Sequence, residues 1–217
     1  MCRLLYVRAV APFASRSHLG WLAIIAKHSK VYQGHGWGCA WLEAGDWRTY
    51  RSIRPIWEDD LTMFPDTTLL LAHARSAFRD EGIRVENNMP FFDGNYAFIF
   101  NGELQGVRIR EDGRIGAEKL FNYVKRFDEG DLLTAMTKAI DIVAKRTRYV
   151  RALNLIMADR HNAYVASHFA EDPDYFQLRR YRGAGLDIVC SEPYADFHDW
   201  QRINNGTVER LQNVTTT

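Results

Sequence analysis

The spacing of apolar positions changes several times along the chain and divides it into strands, then helices, then strands again. Cys2 to Val10 alternates weakly, as a half-buried strand does. From Ser17 to Lys30, residues Leu19, Leu22, Ala23, Ile25 and Ala26 share one helical face, and Ser17 suits the N-cap. Gly36 to Leu42 and Trp47 to Ile53 read as strands, and Gly45-Asp46 between them predicts a hairpin. Thr68 to His73 is an apolar run of buried-strand length. Tyr96 to Phe100 is another; it ends at Asn101-Gly102, and Glu103 to Val107 follows as a candidate hairpin partner.

Two helical stretches come next. Ala117 to Phe127 sets Leu120, Phe121 and Val124 on one face. Asp131 to Arg146 does the same with Leu132, Met136, Ile140 and Val143, with Asp131 as N-cap. Ala152 to Ala158, Ala163 to His168, Tyr175 to Arg182 and Asp187 to Ser191 then read as strands, and Asn205-Gly206 as a turn. A sheet buries at least one face, so this order predicts a layered α+β domain. Two long helices would cover one sheet and the N-terminal helix the other. The pattern alone leaves the topology open.

At 217 residues, 47% hydrophobic and 25% charged, the chain has the composition of a globular domain. No apolar run approaches the roughly 20 residues of a membrane-spanning helix, and the start lacks a secretory pattern, so no membrane association is expected. Lys and Arg number 28 against 27 Asp and Glu, which gives no reason to expect a nucleic-acid partner. Arg179-Arg180-Tyr181-Arg182 reads as a solvated basic face. Three dispersed cysteines, Cys2, Cys39 and Cys190, form neither a disulfide framework nor a metal-ligand pattern. No metal is expected, and a reducing cytoplasm is the expected location.

Three features carry candidate chemistry. Removal of Met1 would leave Cys2 with a thiol and a free α-amine on one residue. Such an amine has a pKa of about 7.7–8.0 and can serve the thiol as a base. Asn101-Gly102 reads either as a hairpin turn or as a side-chain amide and a backbone N–H that together stabilise an oxyanion. His73 and Arg75 share one strand face. Arg75 reads either as a surface ion-pair partner or as a carboxylate clamp, and His73 as a hydrogen-bonded structural histidine.

The order of Met1-Cys2-Arg3-Leu4-Leu5, Gly36-Trp37-Gly38, Leu71-Ala72-His73-Ala74-Arg75, Glu86 to Phe91 and Phe100 to Leu104 resembles the class II glutamine amidotransferases, which are N-terminal-nucleophile hydrolases. The closest likeness is to stand-alone members related to the ergothioneine-pathway γ-glutamyl amidohydrolase. Cys190-Ser191-Glu192-Pro193, Trp200 and Asn205-Gly206 extend it nearly to the chain end.

The resemblance implies a single domain over 1–217 with a four-layer α-β-β-α sandwich. It implies Cys2 as the nucleophile after loss of Met1, and Asn101 and Gly102 as the oxyanion hole. Arg75 would take the α-carboxylate of the substrate. Trp37 and its neighbouring glycines would be structural. The implied activity is hydrolysis of glutamine or another γ-carboxamide through a thioester, with no cofactor. The alternatives are a non-catalytic binding or regulatory protein of this fold, and a glutaminase subunit that delivers ammonia to a synthase in trans.

Three positions depart from the family pattern. Met89 stands for a usual His, and Ser76-Ala77-Phe78 lacks a usual Thr. Gly116 stands where an Asp would bind the α-ammonium of glutamine. Asp112 or Glu118 substitutes for it, or the substrate has no free α-amine, or glutaminase activity has been lost.

Overall fold

The computed structural model describes residues 1–183, 185–212 and 214. Its elements run β1 (Arg3–Ala14), α1 (Ser15–Lys27), β2 (Trp37–Glu43), β3 (Asp46–Ser52), β4 (Asp66–Ala74), β5 (Phe91–Phe92), β6 (Ala97–Val107), α2 (Gly116–Lys125), α3 (Leu132–Lys145), β7 (Thr147–Ala158), β8 (Ala163–Ser167), α4 (Pro173–Phe176), β9 (Arg179–Gly183), β10 (Leu186–Cys190), β11 (Gln201–Arg202) and β12 (Thr207–Leu211). One sheet has the order β11-β9-β10-β1-β4-β2-β3 and the other β12-β8-β7-β6-β5, and the pairings are antiparallel throughout.

Strand alternation decides what each face buries. On β1 and β4, Leu4, Tyr6, Leu69 and Leu71 join a core shared with β6, β7, α2 and α3. Leu5, Val7, Leu70 and Ala72 point the other way, into a core formed with Leu19, Leu22 and Ala26 of α1. The predicted division of helices between the sheets therefore holds. The β2–β3 turn is Ala44-Gly45, one residue before the predicted one, with φ of 52° and 85°. Both residues are left-handed, as a two-residue hairpin turn of type I′ requires. Asp131 caps α3, accepting from the N–H groups of Leu133 and Thr134.

Four expectations need correction. Helix α1 begins at Ser15, not Ser17, and has no side-chain cap; Ser15 Oγ instead donates to the Pro65 carbonyl at 2.6 Å. Asn101-Gly102 is not a hairpin end, because β6 runs straight through it and pairs with β7 on both sides. Tyr175 lies in the short helix α4, entered through Pro173, and the strand starts only at Arg179. Arg180 is not solvated: it grips the fully buried carboxylate of Asp187 through two bonds of 2.8 and 2.7 Å. A buried carboxylate requires such a partner.

Among the described residues, no helix is long and apolar enough to cross a membrane, and no cluster of three His, Cys, Asp or Glu side chains is placed to hold a metal.

Candidate active site

The register places the site residues before any side chain is considered. Arg3 pairs with Ala74 and Leu4 with His73. Extending that ladder by one residue sets Cys2 opposite Arg75. Cys2 shares the parity of Leu4 and Tyr6, while His73 and Arg75 share that of Leu69 and Leu71, so all three project towards β6 of the second sheet. The start of β1 is clamped. The Leu4 N–H donates to Ser191 Oγ at 2.8 Å, the Ser191 N–H returns to the Leu4 carbonyl at 3.0 Å, and Arg3 pairs with Glu192 at 3.2 Å. The Cys190 to Pro193 segment thus holds the strand that presents Cys2, a role the sequence did not reveal.

Asn101 meets Cys2 from the second sheet. Its Oδ1 accepts the Cys2 backbone N–H at 2.8 Å, while its Nδ2 is buried with no partner. A buried amide that spends its acceptor and leaves both donors free carries an unmet cost of about 1–3 kcal/mol. Next to it, Gly102 lies against β7. A Cβ there would stand 2.1 Å from the Ala152 carbonyl oxygen, so this closely packed backbone admits only glycine.

The Cys2 thiol is half-buried. It accepts from the Ser76 N–H at 3.5 Å and can donate to the Ser76 carbonyl at 3.7 Å. Burial pushes the thiol pKa up. His73 above all, then the Met1 ammonium and the Ser76 N–H, pull it down, and it settles at about 6. Cys39 and Cys190 are buried, and burial raises both of their thiols, so neither is poised to react. The Met1 carbonyl is gripped by Gln33 Nε2 and, at 2.7 Å, by the Tyr175 hydroxyl.

Arg75 is buried rather than on the surface, and among the described residues it has no carboxylate partner. Its Nη1 donates to the Gly82 carbonyl at 3.0 Å and to Asn88 Oδ1 at 3.2 Å. Neutral oxygens hold the guanidinium in place and leave its charge uncompensated. His73 is fully buried, its Nε2 is 3.2 Å from the Phe100 carbonyl oxygen, and its Nδ1 has no hydrogen-bond partner. Trp37 is structural as expected: it is fully buried and donates to Asp59 Oδ2 at 2.9 Å.

Cys2, Arg75 and Gly102 line a cavity of about 1260 Å³, which also reaches Gly116. A Cβ at Gly116 would meet nothing within 4 Å, so the position has space but no charge. Around the cavity, Leu104, Ile109, Ile115, Ala117 and Leu120 give an apolar wall. Glu118 is held by Arg114 through four bonds of 2.5–3.1 Å from side-chain and backbone nitrogens and is not part of the cavity lining. Asp112 is exposed and is not part of the cavity lining. Glu103 does line the cavity, and it is paired with Arg151 at 3.3 Å.

No family model matches the chain, and no curated protein matches its sequence. Solved structures do match its fold. A glutamine aminotransferase class-II domain protein from Silicibacter pomeroyi superposes with a TM-score of 0.65 at 18% identity, over 99% of this chain and 100% of that one. A predicted glutamine amidotransferase from Pseudomonas aeruginosa gives 0.58 at 17% identity, over 96% of each chain. The glutamine phosphoribosylpyrophosphate amidotransferase of B. subtilis gives 0.62 at 14% identity, over 88% of this chain but 42% of its own. The protein therefore has the mixed α/β fold, with two antiparallel sheets, of class II glutamine amidotransferase domains.

Proposed function

We propose that the protein is a cysteine-dependent amidohydrolase that attacks γ-carboxamides, of the stand-alone kind to which the ergothioneine-pathway enzyme belongs, built as a four-layer α-β-β-α sandwich. The observation that carries this reading is the Asn101 amide. Its oxygen holds the Cys2 backbone nitrogen, and its buried, unpartnered Nδ2 lies beside the nucleophile. Such a donor becomes satisfied when an oxyanion forms, which is the definition of transition-state stabilisation.

The proposed cycle begins with removal of Met1, which opens access to the thiol. Cys2 Sγ adds to the amide carbon, and the developing oxyanion is taken by Asn101 Nδ2 and the Gly102 N–H. Collapse expels the amine and leaves a thioester. Water hydrolyses the thioester and frees Cys2. Arg75 anchors the substrate through its α-carboxylate, with the Gly82 and Asn88 oxygens fixing the guanidinium. No cofactor enters the cycle.

Gly116 favours a substrate whose α-nitrogen carries no charge. An ammonium placed against Ile115, Ala117 and Leu120 would lack its charge-assisted bond, a loss of about 1.5–3 kcal/mol or one to two orders of magnitude in binding. An N-acylated glutamine avoids that loss and would use the apolar wall. Steady-state kinetics on glutamine, a γ-glutamyl amide and an N-acylated glutamine test this with protein confirmed by mass to lack Met1. The N-acylated compound should be turned over with the highest kcat/KM. A higher kcat/KM for glutamine would overturn the substrate assignment. Turnover of none of the three would favour a non-catalytic binding role for the fold.

A further inference from the structure

We propose that the space Met1 fills is the subsite for the leaving half of the substrate. The amide cleaved is then a secondary one, and its nitrogen carries an amino-acyl group, with an acceptor oxygen and an apolar side chain. The inference rests on Cys2 being the processed nucleophile of an amidohydrolase, and it names what departs from the γ-carbonyl.

Met1 sits in a built place. Its carbonyl oxygen accepts from Gln33 Nε2 and, at 2.7 Å, from the Tyr175 hydroxyl. Its side chain packs, with Val31, on the cluster of Ala152, Phe169, Tyr175 and Phe176. The two donors are themselves held. Gln33 is fully buried, and its Nε2 also donates to the Val31 carbonyl at 2.9 Å. The Arg3 guanidinium lies 4.1 Å from the centre of the Tyr175 ring, and its Nη1 donates to the Tyr175 carbonyl at 3.4 Å. Asn154 Nδ2 fixes the next residue by donating to the Phe176 carbonyl at 2.6 Å. Gln33, Phe169, Tyr175 and Phe176 do not line the cavity around Arg75, so this place is distinct from the one assigned to the acyl half. The two adjoin at Cys2 and at Gly102, whose backbone lies against Ala152.

Processing removes one acceptor and one apolar side chain from this place, and leaves two buried donors and an apolar wall. A buried donor without an acceptor is costly, and an apolar wall gains by being covered. Gln33 Oε1 is buried with no partner and adds a free acceptor. The uncovered site therefore fits a group that offers a carbonyl oxygen, an N–H and an apolar side chain together, as an amino-acid residue does.

Proton transfer brings the leaving nitrogen to the same spot. The α-amine of processed Cys2 takes the Sγ proton as the C–S bond forms, and returns it to the amide nitrogen as the C–N bond breaks. That return needs the two nitrogens within about 2.6–3.2 Å. One direction around the α-amine is already taken by Asn101 Oδ1, at 2.8 Å. Another is the direction of the former bond to the Met1 carbonyl carbon, and it points into the space that Met1 leaves. A nitrogen protonated along it stands at the entrance to that space, with its substituent inside. Ammonia from a primary amide would leave the space unfilled. Met1 is itself only half-buried, so a longer peptide can continue into solvent.

Three amides with one acyl half test this, on protein confirmed by mass to lack Met1: N-acetylglutamine, N-acetyl-γ-glutamyl-methylamine and N-acetyl-γ-glutamyl-methioninamide. The third should have the highest kcat/KM, roughly tenfold or more above the second, because only it covers the wall. In Tyr175→Phe, which keeps the ring, that preference should shrink by about two- to tenfold. A merely structural loss would lower both values and leave their ratio unmoved. Equal kcat/KM for the second and third amides, or an unchanged ratio in Tyr175→Phe, would overturn the subsite. If Tyr175→Phe does not fold, calorimetric titration of the unmutated protein with methioninamide decides. The Met1-free form should bind it, and the form that retains Met1 should not, because its own first residue fills the space. Equal affinity in both forms, or no binding to the Met1-free form, would refute the site. The titration needs no turnover, so the two readings fail separately. Binding without hydrolysis of any amide would leave the site standing and sink the amidohydrolase, and hydrolysis of all three at one rate would do the reverse.

Discussion

Replacing Asn101 with Ala separates a catalytic amide from a structural one, because its effects on stability and on rate should diverge. The substitution removes the acceptor of the Cys2 N–H, a bond of 2.8 Å, which costs about 1–3 kcal/mol if that N–H is left dry. It also removes Nδ2, which is buried and unpaired, and so returns a similar amount. The two changes offset each other to within about 1 kcal/mol, or about 2–4 °C in Tm for a chain of this size. The transition state receives no such compensation. Loss of one oxyanion donor costs about 2.7–4 kcal/mol, which is 10²–10³ in kcat. Asn101→Asp keeps the shape and the acceptor but sets a carboxylate against the oxyanion, so it should lose at least as much activity. The assay pairs kcat on the best γ-carboxamide with thermal unfolding of the same samples. Activity within a few-fold of wild type in Asn101→Ala, or a rate loss that follows the unfolded fraction, would refute the oxyanion assignment.

Gly116→Asp should raise kcat/KM for free glutamine by about one to two orders of magnitude, with little change in stability, since the position is open and starts a helix. Arg75→Gln should lower kcat/KM by a similar factor for every substrate that carries an α-carboxylate; an equal loss with a substrate lacking that group would show that Arg75 is structural. Gly102→Ala should unfold the protein or lower its Tm by several degrees, because its Cβ would press on the Ala152 carbonyl; an unchanged Tm would contradict that packing.

What was legible in the sequence was set by local pattern. The β2–β3 hairpin, α2, α3 and the Asp131 cap follow from spacing within short windows, and they agree with the structure to within a few residues at their ends. Asn101-Gly102 shows where that reasoning stops. The dipeptide has strong turn chemistry, but it is overruled by a ladder to β7, a strand some fifty positions away, which a local reading cannot see. Ser17 was a good cap by residue type. It is not the cap because β1 runs on to Ala14, past the Val10 at which the alternation ends, and the helix starts at once from Ser15, whose hydroxyl is spent on Pro65.

The site was legible in parts. Alternation alone put His73 and Arg75 on one face. Cys2 and Asn101, ninety-nine positions apart, were joined only by the family resemblance. The structure adds what neither source could supply. The orphaned His73 nitrogen depends on Phe100 occupying the other one, the Ser191 and Glu192 clamp on β1 depends on β10 pairing, and the buried Arg180–Asp187 pair depends on register.

Incubating the Met1-free protein with a diazoketone analogue of glutamine, and with its N-acylated form, tests the central claim most directly. Intact mass should show one adduct, faster with the N-acylated analogue, and peptide mapping should place it on Cys2. Cys2→Ala should show none, while Cys39→Ala and Cys190→Ala should label like wild type, as both thiols are buried and unactivated. An adduct that persists in Cys2→Ala would contradict the assignment of the nucleophile.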